Sequence, residues 1–245
     1  MAGKSAVVIP ARYASSRFPG KPLAILAGKP MICHVCEKAA ASKADYVLVA
    51  TDDQRIADVV KSFGYEAVMT REDHPSGTDR IAEAVRKAAP DVEIIINVQG
   101  DEPLIPTSAI DDLLDLMVKN PGHEMATIGV PGNRETMTEN NVKVVFGSDG
   151  RALYFSRSMI PFTRKGGVPD QVYLHWGIYA YRRDTLEKFV SLPAGRLEKS
   201  EMLEQLRALE NGINIYVLTC NLESIGVDTP EDLVKAEQRI VELNK

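Results

Sequence analysis

Aromatic residues make up only 6% of this 245-residue chain, and no stretch comes near the roughly 18 consecutive apolar residues that a membrane helix requires. The first apolar run, residues 6–9, is too short for a signal peptide. These absences point to a cytoplasmic protein with no membrane partner. Cysteine is scarce and odd in number, three in all, which argues against a disulfide framework and suits a reducing compartment. Basic residues are outnumbered, 29 Lys and Arg against 34 Asp and Glu, for a formal net charge of −5. A general nucleic-acid binder needs a basic face to replace phosphate counterions, so nucleic acid is not expected as a partner. An anionic ligand must instead meet a local cluster of cations. Two phosphate-binding signatures are also missing, Gly-x4-Gly-Lys-[Ser/Thr] and Gly-x-Gly-x-x-Gly. No Asp is followed two positions later by another Asp, which argues against a metal-dependent glycosyltransferase.

What is present suffices for a full core: 44% of the residues are apolar, and the length suits one α/β domain over 1–245. Short β-branched runs at 6–10, 45–50, 66–70, 93–98 and 125–130 alternate with segments of helical period. That alternation means strand–helix–strand crossovers and a mostly parallel, buried sheet. The rhythm then changes. Residues 141–147 and 152–156 flank Ser148-Asp149-Gly150, a hairpin signal, so a smaller antiparallel lobe is expected at about 140–182. A loop rich in Gly, Pro and basic residues runs over 161–169, and a strand is expected at 177–182. Helices near 184–191 and 200–210, a strand at 213–218 and a last helix from Pro230 complete the chain. Cys33 and Cys36 fall in a helix with Pro30 at its first position. At i and i+3, with no second pair elsewhere, they read as small buried hydrophobes.

The most informative segment joins the first strand to a loop carrying Arg12, Arg17 and Lys21 around the flexible Pro19-Gly20 pair. Ligands of open α/β sheets bind outside the carboxyl ends of strands. Arg offers a planar fork to two phosphate oxygens and Lys a compact point charge, so the three cations can surround a triphosphate. Two more strand ends carry carboxylates. Ile94-Ile-Ile-Asn-Val-Gln-Gly-Asp-Glu-Pro103 turns at Gly100 and presents Asp101 at the same sheet edge. Asp228 precedes the last helix, whose start Thr229, Pro230 and Asp232 already supply, leaving Asp228 for other work. Two hard carboxylates with triphosphate oxygens and water form the usual Mg²⁺ arrangement, so Asp101 and Asp228 are the candidate metal ligands. Of Asp52 and Asp53, the latter reads as an N-cap. In His74-Pro-Ser-Gly-Thr-Asp-Arg80, Ser76, Arg80 and backbone amides are candidates for reading a base, while Thr78 or Asp79 is equally suited to a simple cap.

These segments together resemble the CMP-Kdo synthetases, the 3-deoxy-manno-octulosonate (Kdo) cytidylyltransferases. The matching pieces run the length of the chain in order: Ile9-Pro-Ala-Arg-Tyr-Ala-Ser-Ser-Arg-Phe-Pro-Gly-Lys-Pro-Leu23, Ser76-Gly-Thr-Asp-Arg80, Asn97-Val-Gln-Gly-Asp-Glu-Pro103, Ala152-Leu-Tyr-Phe-Ser-Arg-Ser158, Leu203-Glu-Gln-Leu-Arg207 and Val227-Asp-Thr-Pro230. The resemblance implies a Rossmann-like nucleotide-diphospho-sugar transferase fold, a mixed, mostly parallel sheet with a smaller antiparallel lobe, and a homodimer assembled partly through that lobe. It implies transfer of CMP from CTP to Kdo with release of pyrophosphate, for lipopolysaccharide or capsule biosynthesis, with Mg²⁺ as cofactor. By the same resemblance Arg12, Arg17 and Lys21 hold the triphosphate, Ser76 and Arg80 help recognise cytosine, and Asp101 and Asp228 coordinate the metal. Gln99, Arg157, His175, Tyr179, Glu204 and Gln205 would line the sugar-acid pocket. Trp176, where a smaller aliphatic residue is expected, departs from the pattern. No general base is evident in the sequence.

Overall fold

The computed structural model describes residues 3–14, 18–168, 171–221 and 224–243. Its elements run β1 (Lys4–Ala11), β2 (Ile25–Leu26), β3 (Lys29–Pro30), α1 (Met31–Ala40), β4 (Tyr46–Thr51), α2 (Gln54–Ser62), β5 (Glu66–Met69), α3 (Gly77–Ala88), β6 (Val92–Asn97) and α4 (Thr107–Lys119). There follow β7 (Met125–Gly132), β8 (Lys143–Phe146), β9 (Ala152–Ser156), β10 (Val172–Arg182), α5 (Arg183–Ser191), α6 (Arg196–Glu201), α7 (Gln205–Glu210), β11 (Ile215–Thr219) and α8 (Pro230–Leu243). The chain is a mixed α/β fold with two compact units, one of residues 1–114 and 223–245, the other of residues 115–222. No helix among the described residues is long and apolar enough to cross a membrane.

In the first unit β6, β1, β4 and β5 lie side by side, all parallel, in that order. Val7, Val8 and Ile9 of β1, Leu48 and Val49 of β4 and Ile95 and Ile96 of β6 have no exposed surface. Their continuous apolar runs are what a sheet covered on both faces requires. The chain moves outward from β1 to β4 and β5, then returns to place β6 on the other side of β1. The carboxyl ends of β1 and β6 therefore flank a topological switch point, where neighbouring connections leave in opposite directions and a crevice opens.

The second unit pairs β11 with β7 in parallel, and β7 with β10, β10 with β8 and β8 with β9 antiparallel. The expected hairpin is present, with Gly150 at φ 80° in the left-handed conformation its turn demands. Lys143, 1% exposed, directs its ammonium at the carbonyls of Thr138, Asn141 and Arg157 and so ties that hairpin to its neighbours.

The strand expected at 177–182 begins earlier, at Val172, and that expected at 213–218 is Ile215–Thr219; two helix boundaries also differ from the sequence reading. Pro30 is the residue before α1, not its first residue: it is extended, at φ −58° and ψ 139°, and pairs with Ile25 as part of a small ladder. The single helix expected at 200–210 is two short ones, broken at Met202, whose φ of 53° is left-handed. Arg157 reaches the carbonyls of Glu201 and Met202 there, at 2.8 and 3.4 Å, contacts that hold the break against helical propensity. Cys33 and Cys36 are wholly buried, as small core residues, and burial raises both thiol pKa values, that of Cys33 to about 11.

Candidate active site

A cavity of about 340 Å³ opens at the β1/β6 switch point, and every residue lining it belongs to the first unit. Its walls come from the loop after β1 (Arg12, Lys21), the start of α3 (Ser76, Arg80), the turn after β6 (Gln99, Gly100, Asp101) and Asp228 before α8. Of the residues expected to hold nucleotide and metal, the structure brings together Arg12, Lys21, Ser76, Arg80, Gln99, Asp101 and Asp228. Arg17 lies outside the described residues.

Local chemistry sets each wall. The loop after β1 turns back through Gly20, at φ 72°, whose amide donates to Tyr13 O at 2.9 Å. The Tyr13 ring lies 3.5 Å beneath the Arg55 guanidinium, which Asp53 grips from the N-terminus of α2. Asp53 also accepts from Arg55 N at 2.9 Å and is the expected N-cap. At the next strand end, a Cβ on Gly100 would stand 2.9 Å from Pro10 O. Only glycine allows the β6 turn to approach β1 this closely. The segment before α8 is held against the same turn by Val227 N to Asp101 O at 2.9 Å and Ser224 Oγ to Glu102 Oε2 at 2.6 Å. Below it Leu26, Met31, Val227 and Ala236 form a buried cluster, with Phe18, Leu104 and Leu233 packed around it.

Asp101 and Asp228 thus meet over one cation. Lys21 Nζ donates to Asp101 Oδ2 at 2.6 Å and to Asp228 Oδ1 at 3.3 Å. The start of α8 is closed by Thr229 and Asp232, with Asp232 N to Thr229 Oγ1 at 3.3 Å and Thr229 N to Asp232 Oδ2 at 3.2 Å, so the Asp228 carboxylate is not needed there. Two carboxylates converging on one ammonium are placed to share a cation. Among the described residues no three His, Cys, Asp or Glu cluster as a metal cage. A pair of hard oxygen donors with open positions suits Mg²⁺, which commonly takes one or two carboxylates and completes its shell with phosphate oxygens and water.

On the α3 side the N-cap is Ser76, rather than Thr78 or Asp79: Asp79 N donates to Ser76 Oγ at 3.2 Å. Three supporting residues escaped the sequence reading. Asp52 bonds Arg80, and Glu83 binds the ring of His74, which also lines the cavity. Glu83 further receives Lys87 Nζ and the Arg71 amide; burial raises its pKa, but these hydrogen bonds outweigh that and bring it down to about 2. The available signal was spacing: Arg80, Glu83 and Lys87 are three and four apart and share one helix face.

The residues the resemblance gives to the sugar acid fall elsewhere, except Gln99, whose amide donates to Asn97 Oδ1 at 3.0 Å. Arg157, His175, Tyr179, Glu204 and Gln205 all lie in the second unit. His175 stands between Phe155 and Tyr179, ring centroids at 5.0 and 5.3 Å. Its Nε2 is 3.2 Å from Thr127 Oγ1, whose own proton reaches Ile178 O at 2.7 Å, so Nε2 carries the hydrogen. Burial lowers the His175 pKa to about 3, keeping the ring neutral, and raises that of Tyr179. Gln205 is 5% exposed, and its Nε2 has no acceptor among the described residues. Trp176 sits on β10 opposite Ile128, beside a register shift between Trp176 and Tyr179.

The profile of the cytidylyltransferase family matches residues 6–215. A 3-deoxy-manno-octulosonate cytidylyltransferase of Thermodesulfovibrio yellowstonii is 53% identical over 245 residues, covering 94% of this chain and 96% of the relative. An 8-amino-3,8-dideoxy-manno-octulosonate cytidylyltransferase of Shewanella sp. (strain ANA-3) is 50% identical over 240 residues, 96% of this chain and 97% of its own. A solved structure of CMP:2-keto-3-deoxy-manno-octonic acid synthetase complexed with CTP is 44% identical, covers 98% of this chain and 99% of that one, and superposes with a TM-score of 0.93. With the match extending over most of its length, the chain belongs to the cytidylyltransferase family.

Proposed function

We propose that this protein transfers CMP from CTP to Kdo, forming CMP-Kdo and pyrophosphate in the cytoplasm, for lipopolysaccharide or capsule biosynthesis. The observation that carries the reading is the convergence of Lys21, Asp101 and Asp228 in the switch-point cavity, with Arg12 on its rim. In the reaction, the anomeric hydroxyl of Kdo attacks the α-phosphorus in line and pyrophosphate leaves; positioning and charge neutralisation supply most of the catalysis. Arg12, with Arg17, binds the departing phosphates, and Lys21 meets the charge that develops on the α-phosphate. Mg²⁺ held by Asp101 and Asp228 supplies, when bound, further neutralisation of the triphosphate. Ser76 and Arg80 face the base.

The same reading gives the sugar acid to Gln99, Arg157, His175, Tyr179, Glu204 and Gln205. It also includes a homodimer assembled partly through the smaller lobe at about 140–182, where Leu153 and Phe162 are 65% and 85% exposed. An amino-sugar acceptor is the second reading, favoured by the 50% identity to 8-amino-Kdo enzymes. The test is pyrophosphate release from CTP with Kdo and Mg²⁺. The wild type should turn over, and Asp101→Asn should lose at least about a hundredfold in kcat. A silent wild type, or an Asp101→Asn variant that matches it, overturns the proposal.

A further inference from the structure

Arg80 lines the cavity with only 4% of its surface exposed, so whatever fixes its guanidinium fixes that part of the wall. Nη1 donates to Thr70 Oγ1 at 2.6 Å, and Nη2 to Asp52 Oδ2. Thr70 is itself fastened across the strand ends, its amide and hydroxyl reaching Thr51 O at 2.9 and 3.1 Å. Asp53, the neighbouring carboxylate, is spent on α2 and Arg55. Asp52 does not line the cavity, so what it does to a ligand it does through Arg80.

A guanidinium is a rigid plane with five donors in fixed directions. Anchoring one edge on Asp52 and Thr70 sets where the remaining donors point, and a buried donor that lines a cavity calls for an acceptor. The pairing edge of cytosine places two acceptors, O2 and N3, side by side. In uracil N3 carries a hydrogen and would oppose an N–H. We propose that Asp52 is a positioning residue that sets the choice of nucleobase, by holding Arg80 with its remaining donors aimed at the O2/N3 edge of cytosine. The inference rests on the CTP reading above and adds to it the group that enforces discrimination against UTP.

The experiment measures Kd for CTP and UTP by calorimetry without sugar, together with kcat, KM and Tm, for the wild type, Asp52→Ala and Asp52→Asn. Asp52→Ala should weaken CTP by about ten- to a hundredfold and bring the CTP/UTP ratio toward unity, with kcat at saturating CTP within about threefold. Asp52→Asn, which keeps an acceptor oxygen, should recover part of the preference. A folded Asp52→Ala with an unchanged CTP/UTP ratio overturns the inference, as does a loss confined to kcat. Should the Ala variant fail to fold, the Asn variant decides: a reduced ratio supports the inference and an unchanged one overturns it. A wild type without nucleotide preference overturns the CTP reading and this inference with it, whereas a preference that survives in the variants overturns this inference alone.

Discussion

Replacing Lys21 by Met removes the ammonium that Asp101 and Asp228 share while keeping a side chain of similar length. With contacts of 2.6 and 3.3 Å, the two attractions amount to about 1.6 and 1.3 kcal/mol in a water-like dielectric, about 3 kcal/mol together. The water-like limit is the appropriate one, because the two carboxylate side chains are 33% and 49% exposed. A divalent cation entering this pair competes with Lys21. The variant should therefore bind Mn²⁺ more tightly in the absence of nucleotide, by up to about a hundredfold at 1.4 kcal/mol per decade. CMP transfer should meanwhile fall by about 10²- to 10³-fold, since the α-phosphate loses a positioned charge. Titration of nucleotide-free protein followed by Mn²⁺ EPR reads the affinity directly. A folded Lys21→Met whose Mn²⁺ affinity is unchanged or weaker would refute the reasoning that these carboxylates form a cation site held by Lys21.

Gly100→Ala places a methyl 2.9 Å from Pro10 O and 3.4 Å from Ile32 Cδ1; prising the two strand ends apart should destabilise by about 1–3 kcal/mol and weaken CTP binding, measured by thermal melting and nucleotide titration. Glu83→Gln tests the brace on His74. The Glu83 pKa is depressed from 4.5 to about 2, so its stabilisation is fully present above pH 4.5 and is lost as pH falls through about 2. Unfolding measurements across that window should show a steeper acid loss in the wild type than in Glu83→Gln, and parallel curves would remove Glu83 from the account.

The grouping of Arg12, Lys21, Ser76, Arg80, Gln99, Asp101 and Asp228 around one cavity was legible in the sequence because strand ends and loops are local features. An apolar run ending in Gly100-Asp101, and a cationic loop after β1, each announce a position at the sheet edge. Asp228 was legible by elimination, since Thr229 and Asp232 already close the helix start. What stayed hidden depends on contacts distant in the chain. Nothing near Asp52 indicates that Arg80, 28 residues on, will claim it. The break at Met202 is likewise invisible, because no Gly or Pro marks it and Arg157, 45 residues away, helps to fix it. At Pro30 a helix-start signal lost to a two-residue strand pairing.

The central claim is tested most directly by identifying the product. Purified protein incubated with CTP, Mg²⁺ and equimolar Kdo and 8-amino-Kdo, with CMP-linked sugars quantified by mass spectrometry, should yield CMP-Kdo in excess and one pyrophosphate per molecule formed. Absence of a CMP-linked sugar, or a predominance of the amino-sugar product, would contradict the account.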